Sequence, residues 1–497
     1  MEGHMSDVEN LTEVLQVRRD KLKDLIEMGR DPYKVAEYDR DAFSKEVIEN
    51  FDKLLEEETV VSVAGRIMAK RVMGKAAFFE LQDSKGRIQG YVKKKTIGAD
   101  EFDLFTTYDI GDFLGIKGTV FETGKGEKTI RVSEMKLLSK SLQVLPEKYH
   151  GLQDKELRYR QRYVDLIVNP EVKETFMLRN RLIKTMKNYF DEEDFVEVET
   201  PILSPVAGGA TARPFVTHHN TLDIDMYMRI ANELFLKRLI VGGFDRVYEM
   251  GKMFRNEGMS PKHNPEYTAV ELYAAYNNYE FMMDLTEEVV VKMCKENLGT
   301  TKVEFQGNEI DFTPPWDRIS MIDAVTKYTD VNFDEIETLE EARKAAKDLG
   351  VHIEKDMKKG HIINEVFEEK CEEYLIQPTF ITHHPVEVSP LSKRNPERPE
   401  LTDRFELFAN TWELANGFSE LNDPIDQKER FEEQLAKREG GDHEAHMMDE
   451  DFVNALEVGL PPTVGLGIGV DRLIMLLTDS PSIRDVILFP TMKPEDN

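Results

Sequence analysis

Near the carboxyl end, residues 465–469 alternate glycine with apolar residues (Gly-Leu-Gly-Ile-Gly), and Val-Asp-Arg follows. Alternate glycines in a strand let a ligand approach the backbone closely. The apolar pattern from Val470 to Leu477 predicts a helix directly after this strand, with Arg472 in its first turn. A dinucleotide-binding turn is excluded, because G-x-G-x-x-G needs glycine where Val470 stands and no βαβ unit surrounds the segment. The chain must therefore fold so that a glycine-lined strand and the start of a helix face a ligand.

Length and composition limit the class of protein. The chain has 497 residues, 40% hydrophobic and 32% charged, which is typical of a soluble globular protein with two or three domains. Its two cysteines, Cys294 and Cys371, exclude a disulfide framework and a cysteine-rich zinc site. Neither a membrane-spanning apolar run nor a secretory pattern occurs, so we expect a cytoplasmic protein with no membrane partner. The formal charge of −30 argues against non-specific nucleic-acid binding, so any such partner needs local basic patches.

The amino-terminal part of the chain changes from helical to β periodicity. Residues 11–28 predict an amphipathic helix, which Asp31-Pro32 ends. Five short β-like segments follow, punctuated by glycine, at residues 60–67, 77–81, 88–92, 113–121 and 129–137. This pattern indicates a small closed or half-closed barrel of the OB kind, and a small SH3-like barrel would give nearly the same signal.

The pattern changes again after residue 170. A long amphipathic helix at 171–190 leads into a β-rich stretch that ends at Thr200-Pro201. Residues 321 to 376 are helical and strongly acidic, which favours an insertion between strands.

Residues 248–273 predict a strand, a loop rich in breakers and a returning antiparallel strand. Residues at even spacing share a face of a strand. Arg255 therefore pairs with Glu257, while Tyr267, Glu271 and Tyr273 line up together. Such a face is a poor core and a good binding surface, although the residue types alone would favour an exposed polar hairpin.

A second hairpin is predicted at residues 404–420, with a turn at 409–411. It can bring Glu406 and Glu413 together, and paired carboxylates suit a magnesium ion that bridges phosphates. Asn416, Phe418 and Glu420 alternate on one face. Glu413 has the wrong parity for that face, so we expect a bulge near Ala415 or a twisted strand.

These segments follow the order and spacing of the bacterial-type class II lysyl-tRNA synthetases, which the chain resembles from about residue 11 to residue 490. Phe-Arg-Asn-Glu at 254–257 and Asn-Pro-Glu-Tyr at 264–267 resemble motif 2 of that family, and residues 465–472 resemble motif 3. The helix at 171–190 resembles motif 1, which forms the family's dimer interface. The resemblance therefore implies a homodimer and an α+β fold, with an OB-fold barrel joined to an antiparallel catalytic sheet flanked by helices.

The resemblance also implies an ATP site with Mg²⁺. In the family, the arginine matching Arg255 contacts the α-phosphate and the amino-acid carboxylate, and the arginine matching Arg472 binds the γ-phosphate. We expect these two residues to be catalytic, because a guanidinium can stabilise the charge that builds on the phosphate. Glu406 and Glu413 match the metal ligands. The residues expected to bind ATP are Arg255, Glu257, His263, Asn264, Tyr267, Glu406, Glu413 and Arg472.

The related aspartyl and asparaginyl enzymes share these motifs, so the side-chain pocket must select the amino acid. An ammonium group needs carboxylates, whereas an aspartate substrate needs arginine or lysine. By the resemblance, Glu420 and Tyr273 bind the ε-amine of L-lysine, although Asn232 departs from the proline usual before Glu233. The residues expected to bind lysine are Gly209, Glu233, Arg255, Glu271, Tyr273, Asn416, Phe418 and Glu420.

The barrel resembles the family's anticodon-binding domain. Phe78 would stack on an anticodon base, while Arg66, Gln89 and Glu127 would read base edges. Without the resemblance, Phe78 beside Phe79 would be interpreted as a barrel-core residue.

We therefore expect three regions. Residues 6–148 are the amino-terminal helix and barrel, residues 149–170 are a linker, and residues 171–493 are the catalytic domain with its insertion at about 321–376. The predicted activity is ATP-dependent formation of lysyl-adenylate and transfer of lysine to the 3′ end of tRNA(Lys). Two alternatives are an enzyme that lysylates a protein through the same adenylate and a non-catalytic RNA-binding paralogue.

Overall fold

The computed structural model describes residues 2–146, 152–439 and 447–495, and the chain divides into two compact units, residues 1–153 and 154–497. The predicted limit between barrel and linker, at residues 148 and 149, lies outside the described residues. The segment predicted as a linker contains two helices in residues 155–168, and these belong to the second unit. The predicted domain limits stay predictions.

The described part of the first unit contains five α-helices and five strands. The helices are α1 (Glu2–Glu27), α2 (Ser44–Glu49), α3 (Phe51–Glu56), α4 (Lys94–Ile97) and α5 (Ala99–Thr107). The strands are β1 (Val60–Met73), β2 (Ala76–Gln82), β3 (Arg87–Lys93), β4 (Phe113–Glu122) and β5 (Lys128–Ser139). They close into a barrel in the order β1-β2-β3-β5-β4, which confirms the predicted small barrel.

Side chains at alternate positions of the strands fill the inside of this barrel. Apolar residues at every second position, such as Val63, Phe79 and Ile116, point inward and are almost completely buried. Phe79 is 2% exposed, while its neighbour Phe78 lies half-buried on the outside. The alternation therefore decides which phenylalanine belongs to the core.

The second unit is an α+β unit. Its helices are α6 (Lys155–Arg160), α7 (Arg162–Val168), α8 (Pro170–Glu192), α9 (Glu233–Val241), α10 (Tyr279–Leu298), α11 (Met321–Thr329), α12 (Leu339–Asp348), α13 (Lys359–Lys370), α14 (Pro424–Glu439), α15 (Glu450–Gly459), α16 (Val470–Leu477) and α17 (Ile483–Val486). Its strands are β6 (Val196–Glu197), β7 (Leu203–Ser204), β8 (Val216–His219), β9 (Ile224–Met228), β10 (Arg246–Phe254), β11 (Glu266–Ala275), β12 (Lys302–Phe305), β13 (Asn308–Asp311), β14 (Asp317–Ser320), β15 (Thr379–Thr382), β16 (Arg404–Ala409), β17 (Trp412–Ser419) and β18 (Thr463–Ile468).

An eight-stranded sheet organises this unit, in the order β14-β15-β16-β17-β18-β11-β10-β6. The inner pairs, from β15 to β10, are antiparallel, and the two outermost pairs are parallel. One face carries the core, in which Leu466 and Ile468 pack with apolar residues of α8, α10 and α16. Polar side chains, among them Glu271, Glu406 and Asn416, lie on the opposite face of the sheet. These findings confirm the predicted fold class.

Two local differences from the sequence prediction have a structural reason. The stretch after α8 forms only the two-residue strand β6, because the backbone then turns and Thr200 hydrogen-bonds with Glu249 through both its N–H and its hydroxyl. Strand β10 ends at Phe254 rather than at Glu257, because Asn256 N–H donates to Arg213 O over 2.7 Å. Arg255 therefore begins the loop.

The region from 321 to 376 contains α11, α12 and α13, which lie between β14 and β15 in the chain and share an apolar cluster. Among the described residues, no helix is both long and apolar enough to cross a membrane.

Candidate active site

A cavity of about 460 Å³ opens on the polar face of the large sheet. Its wall includes all but one of the residues predicted to bind ATP or lysine. The residue that does not line it is Glu420, which is 1% exposed and lies behind the wall. The lining members of the predicted set are Gly209, Glu233, Arg255, Glu257, His263, Asn264, Tyr267, Glu271, Tyr273, Glu406, Glu413, Asn416, Phe418 and Arg472.

Strand register explains this convergence. Glu406, Asn416, Gly467 and Glu271 are successive cross-strand partners on β16, β17, β18 and β11. Residues in such a row point to the same face of a sheet. Segments that lie far apart in the sequence thus present their polar side chains side by side.

A second row lies two residues further along and contains Arg404, Phe418, Gly465 and Tyr273. A Cβ atom on Gly465 would overlap both the Tyr273 ring and Glu420 Oε1. Glycine is therefore required here by close approach of side chains. This gives the alternating glycines of β18 a packing role in addition to ligand access.

The loop after β10 places Arg255 at the cavity, where its guanidinium lies 5.5 Å from the centroid of the Tyr267 ring. Arg255 N–H donates to Pro265 O over 2.9 Å, which fixes the start of the loop. Arg255 Nε is buried and has no hydrogen-bond partner among the described residues. A buried donor without a partner favours a ligand acceptor, and an anion fits a guanidinium best.

The start of α16 meets the loop between β10 and β11. Arg472 donates from Nη2 to His263 Nε2 over 3.0 Å and from Nη1 to Glu413 O over 2.9 Å. Burial and the nearby charges of Arg472 and Lys262 lower the pKa of His263. The imidazole is therefore neutral near pH 7 and can accept this hydrogen bond.

The predicted bulge in the second hairpin is confirmed. Leu407 pairs with Ala415 but Phe408 pairs with Glu413, so Leu414 is the extra residue. The bulge turns Glu413 to the face that carries Glu406. Burial, followed by the charge of Glu406, raises the pKa of Glu413.

These two carboxylates fit a Mg²⁺ ion that takes most of its ligands from phosphates and water. Within the described parts of the chain, no group of three or more acidic, histidine or cysteine side chains is arranged to hold a metal by itself. Both carboxylates also have cationic neighbours: Glu406 pairs with Arg404 at 2.5 Å, and Glu413 lies 3.6 Å from Arg472.

At the other end of the cavity, carboxylates converge from three elements: Glu233 on α9, Glu271 on β11 and Glu420 directly after β17. Glu271 accepts hydrogen bonds from Asn232 N–H at 3.3 Å and from Tyr273 OH at 3.2 Å. Burial, followed by the charge of Glu233, raises the pKa of Glu271 to about 8. This end of the cavity therefore favours a cationic ligand.

The backbone at Gly209 completes this end. Its φ of +87° lies in the left-handed region, and a Cβ there would come within 3.1 Å of Ala231 and Glu233. Glycine is thus required both by conformation and by close approach.

Sequence reasoning missed two residues of the site. Arg404 bonds to Val388 O at 2.8 Å, to Ser389 Oγ at 3.0 Å and to Asn416 Oδ1 at 3.1 Å, which ties a loop to the sheet. Lys237 is completely buried and pairs with both Glu233 and Glu420. The spacing of Glu233 and Lys237 was visible, but that spacing is usual on a solvated helix face.

The four residues predicted to read an anticodon lie in the first unit, on or beside the barrel. Phe78 packs against Tyr91 with ring centroids 4.6 Å apart, and Tyr91 lies 5.6 Å from Phe121. Aromatic rings on the outside of a barrel are suited to stacking with bases. Arg131 covers the Phe121 ring at 4.7 Å and adds positive charge.

The positions of the other three predicted anticodon-binding residues give less support for a contact with a base. Arg66 donates to Gly111 O over 2.8 Å and covers the Phe113 ring at 4.2 Å. Gln89 accepts a hydrogen bond from the Thr129 hydroxyl at 2.8 Å. Glu127 is exposed in the loop between β4 and β5.

Comparison with known proteins gives two family matches. Residues 154–493 match the family described as tRNA synthetases class II (D, K and N). Residues 61–138 match the family described as OB-fold nucleic acid binding domain, which decides between the two barrel types left open by the sequence.

Similar proteins cover almost the whole chain. A protein named Lysine--tRNA ligase from Thermoanaerobacter pseudethanolicus is 57% identical over 492 residues, which are 99% of this chain and 98% of that protein. Proteins of the same name from Clostridium novyi and Moorella thermoacetica are 57% and 56% identical over 484 residues, covering 97% of this chain and 94% and 98% of theirs. Given these matches, and the way β18 and α16 complete the cavity on the antiparallel sheet, the chain belongs to the class II tRNA synthetases of the D, K and N group.

Proposed function

We propose that this protein is a lysine–tRNA ligase, which activates L-lysine with ATP and transfers it to the 3′ end of tRNA(Lys). The observation that carries the proposal is the convergence of Glu233, Glu271 and Glu420 beside a cavity that also holds Arg255. A cation-binding pocket next to an anion-binding guanidinium suits an amino acid with a basic side chain. The relatives named Lysine--tRNA ligase support the same activity.

In the first step, a carboxylate oxygen of lysine attacks the α-phosphorus of ATP, and the bond to the bridging oxygen breaks to release pyrophosphate. Arg255 binds the lysine carboxylate and the α-phosphate and holds them together. Arg472 binds the γ-phosphate, positioned by its bonds to His263 and to Glu413 O. No side chain needs to act as nucleophile, because positioning and electrostatic stabilisation lower the barrier.

Other residues that line the cavity would bind the remaining parts of ATP. Tyr267 stacks on the adenine, while Glu257 and Asn264 bind polar edges of the nucleotide. Asn264 supports this with a buried Oδ1 that has no partner among the described residues. Glu406 and Glu413 would hold Mg²⁺, which would supply positive charge to neutralise the phosphates of ATP.

Lysine binds at the other end of the cavity. Glu420 and Tyr273 take the ε-ammonium, and Glu233, Glu271 and the Gly209 backbone surround the α-ammonium. Asn416 and Phe418 line the same cavity and contact the aliphatic part of lysine. Glu420 Oε1 supports this, since it is buried and has no partner in the described part of the chain.

In the second step, a hydroxyl of the tRNA 3′-terminal ribose attacks the carbonyl carbon of the adenylate, and AMP leaves. The barrel binds the anticodon through stacking on Phe78 and contacts from Arg66, Gln89 and Glu127. We also propose a cytoplasmic location and a homodimer formed through the 171–203 region. Light scattering at micromolar concentration checks the dimer.

Transfer of labelled lysine to tRNA tests this function. The protein should charge tRNA(Lys), and the label should be released by mild alkali, as expected of an ester. Label that appears on protein instead would favour a protein-lysylating enzyme. If tRNA binds without any lysine-dependent consumption of ATP, the chain is a non-catalytic RNA-binding paralogue.

A further inference from the structure

A buried cation, Lys237, lies next to the lysine end of the cavity and has no role in the proposed reaction steps. The Lys237 ammonium pairs with Glu233, one helical turn earlier on α9, and with Glu420 after β17. Its Nζ lies 5.6 Å from the ring centroids of both Phe418 and Phe452, so aromatic rings shield it from water. Burial lowers the pKa of a lysine, but here Glu233 and Glu420 outweigh it and the pKa of Lys237 is raised. The ammonium is therefore charged.

The charges at this end can be counted. Near neutral pH the raised pKa of Glu271 keeps a proton on its carboxyl in the free protein. Once lysine displaces this proton, three carboxylates face the single ammonium of Lys237, which leaves two negative charges. Lysine brings two ammonium groups, while its carboxylate pairs with Arg255. An amino acid with an uncharged side chain brings only one, and a buried carboxylate without a partner is strongly unfavourable.

We propose that Lys237 is a positioning residue for amino-acid selection, which fixes Glu233 and Glu420 and sets a pocket charge that two ammonium groups neutralise. The inference rests on the proposed activation of lysine. Lys237 acts through Glu420 rather than on the substrate: it holds Oε2 and leaves Oε1, which lies beside Gly465 and Tyr273, for the ligand. Lys237 itself does not line the cavity.

The number of protons bound by Glu233 and Glu420 gives a way to test this inference. Burial raises the pKa of Glu420 and of Glu233, and the Lys237 ammonium opposes both shifts. Without that ammonium, one of the two carboxylates takes up a proton that lysine must displace on binding. The charged and titratable groups facing this pocket are Glu233 and Lys237 from α9, Glu271 and Tyr273 from β11, Glu249 from β10, Arg404 from β16 and Glu420 directly after β17.

The experiment is isothermal titration of the full-length protein with lysine near neutral pH, in buffers of different ionisation enthalpy. Lys237→Met removes the charge and keeps the length, and Lys237→Arg is the matched control that keeps the charge. We expect Lys237→Met to release roughly one more proton per lysine than the parent protein, and its KM for lysine to rise about 10- to 100-fold. Lys237→Arg should release the same number of protons as the parent, and KM for ATP should stay unchanged in both variants.

Two outcomes would overturn the inference. One is a folded Lys237→Met variant with the parental proton count and lysine KM. The other is that Lys237→Met and Lys237→Gln both fail to fold while Lys237→Arg folds, since the ammonium would then serve stability alone. A parent protein without lysine-dependent pyrophosphate exchange would instead refute the proposed function itself, so the two failures are distinguishable.

Discussion

Arg472 and His263 are joined by a hydrogen bond of 3.0 Å, although they lie 209 positions apart in the sequence. This bond connects the first turn of α16 to the loop between β10 and β11. Both residues belong to the proposed ATP site, so the bond couples its two halves. The arginine is also held by Glu413 O, which leaves little freedom for its side chain.

Arg472→Lys tests this coupling, because lysine keeps the charge but cannot make both bonds in the same geometry. We expect kcat/KM for ATP to fall by about 10²- to 10³-fold in pyrophosphate exchange, with the KM for lysine nearly unchanged. Arg343→Lys on α12, whose guanidinium donates to three backbone carbonyls, is the control, and its kcat/KM for ATP should equal that of the parent protein. An Arg472→Lys variant with parental ATP kinetics would contradict the assignment.

Glu420→Gln tests lysine recognition, since the amide keeps the shape but removes the charge that meets the ε-ammonium. Loss of a buried charged partner costs about 2–5 kcal/mol, and the effect should appear as a higher KM for lysine. The KM for ATP should not change. Glu397→Gln, on an exposed loop, is the matched control. Lysine kinetics that stay the same in Glu420→Gln would refute its role.

Glu271 predicts a pH dependence of stability. Its pKa is about 8 in the folded protein and about 4.3 in an unfolded chain. The folded protein thus binds the extra proton between these values, and stability from this group falls as pH rises toward 8 and levels off above it. Glu271→Gln cannot lose a proton, so its melting temperature should decline less than that of the parent over the same range. Parallel curves for the two proteins would contradict the raised pKa.

Phe78→Ala separates the two reaction steps. Adenylate formation needs only lysine, ATP and Mg²⁺, so pyrophosphate exchange should be unaffected. Charging of tRNA should weaken by about 1–3 kcal/mol, or roughly 5- to 150-fold in kcat/KM, because one stacking contact is lost.

The neighbouring Phe79 is the contrast for this experiment. It is 2% exposed in the barrel core, and Phe79→Ala should destabilise the barrel by about 3–5 kcal/mol. If Phe78→Ala lowered the melting temperature as much as Phe79→Ala, Phe78 would be a core residue, and its anticodon role would be wrong.

Short sequence patterns were enough to predict much of the fold. Short β-like segments punctuated by glycine predicted the five barrel strands, and residue parity at Glu413 predicted the bulge that the pairing of Phe408 with Glu413 confirms. Both signals are short-range, because a strand's period relates residues only two positions apart. They therefore needed no knowledge of tertiary contacts.

Cross-strand partners could not be predicted in this way. Nothing in the sequence indicates that Glu406, Asn416, Gly467 and Glu271 form one row, since register depends on how distant strands pair. Lys237 was missed for a related reason. Its pairing with Glu233 is local, but its burial is caused by Glu420 and Phe452, which lie far away in the sequence.

Amino-acid-dependent exchange of pyrophosphate into ATP, measured across the twenty amino acids, tests the central claim most directly. A pocket with three carboxylates beside Arg255 should support exchange with lysine far above exchange with any amino acid whose side chain is neutral or acidic, since such an amino acid brings only one cationic group to the carboxylates. Exchange driven by aspartate or asparagine, or no exchange with any amino acid, would contradict the account.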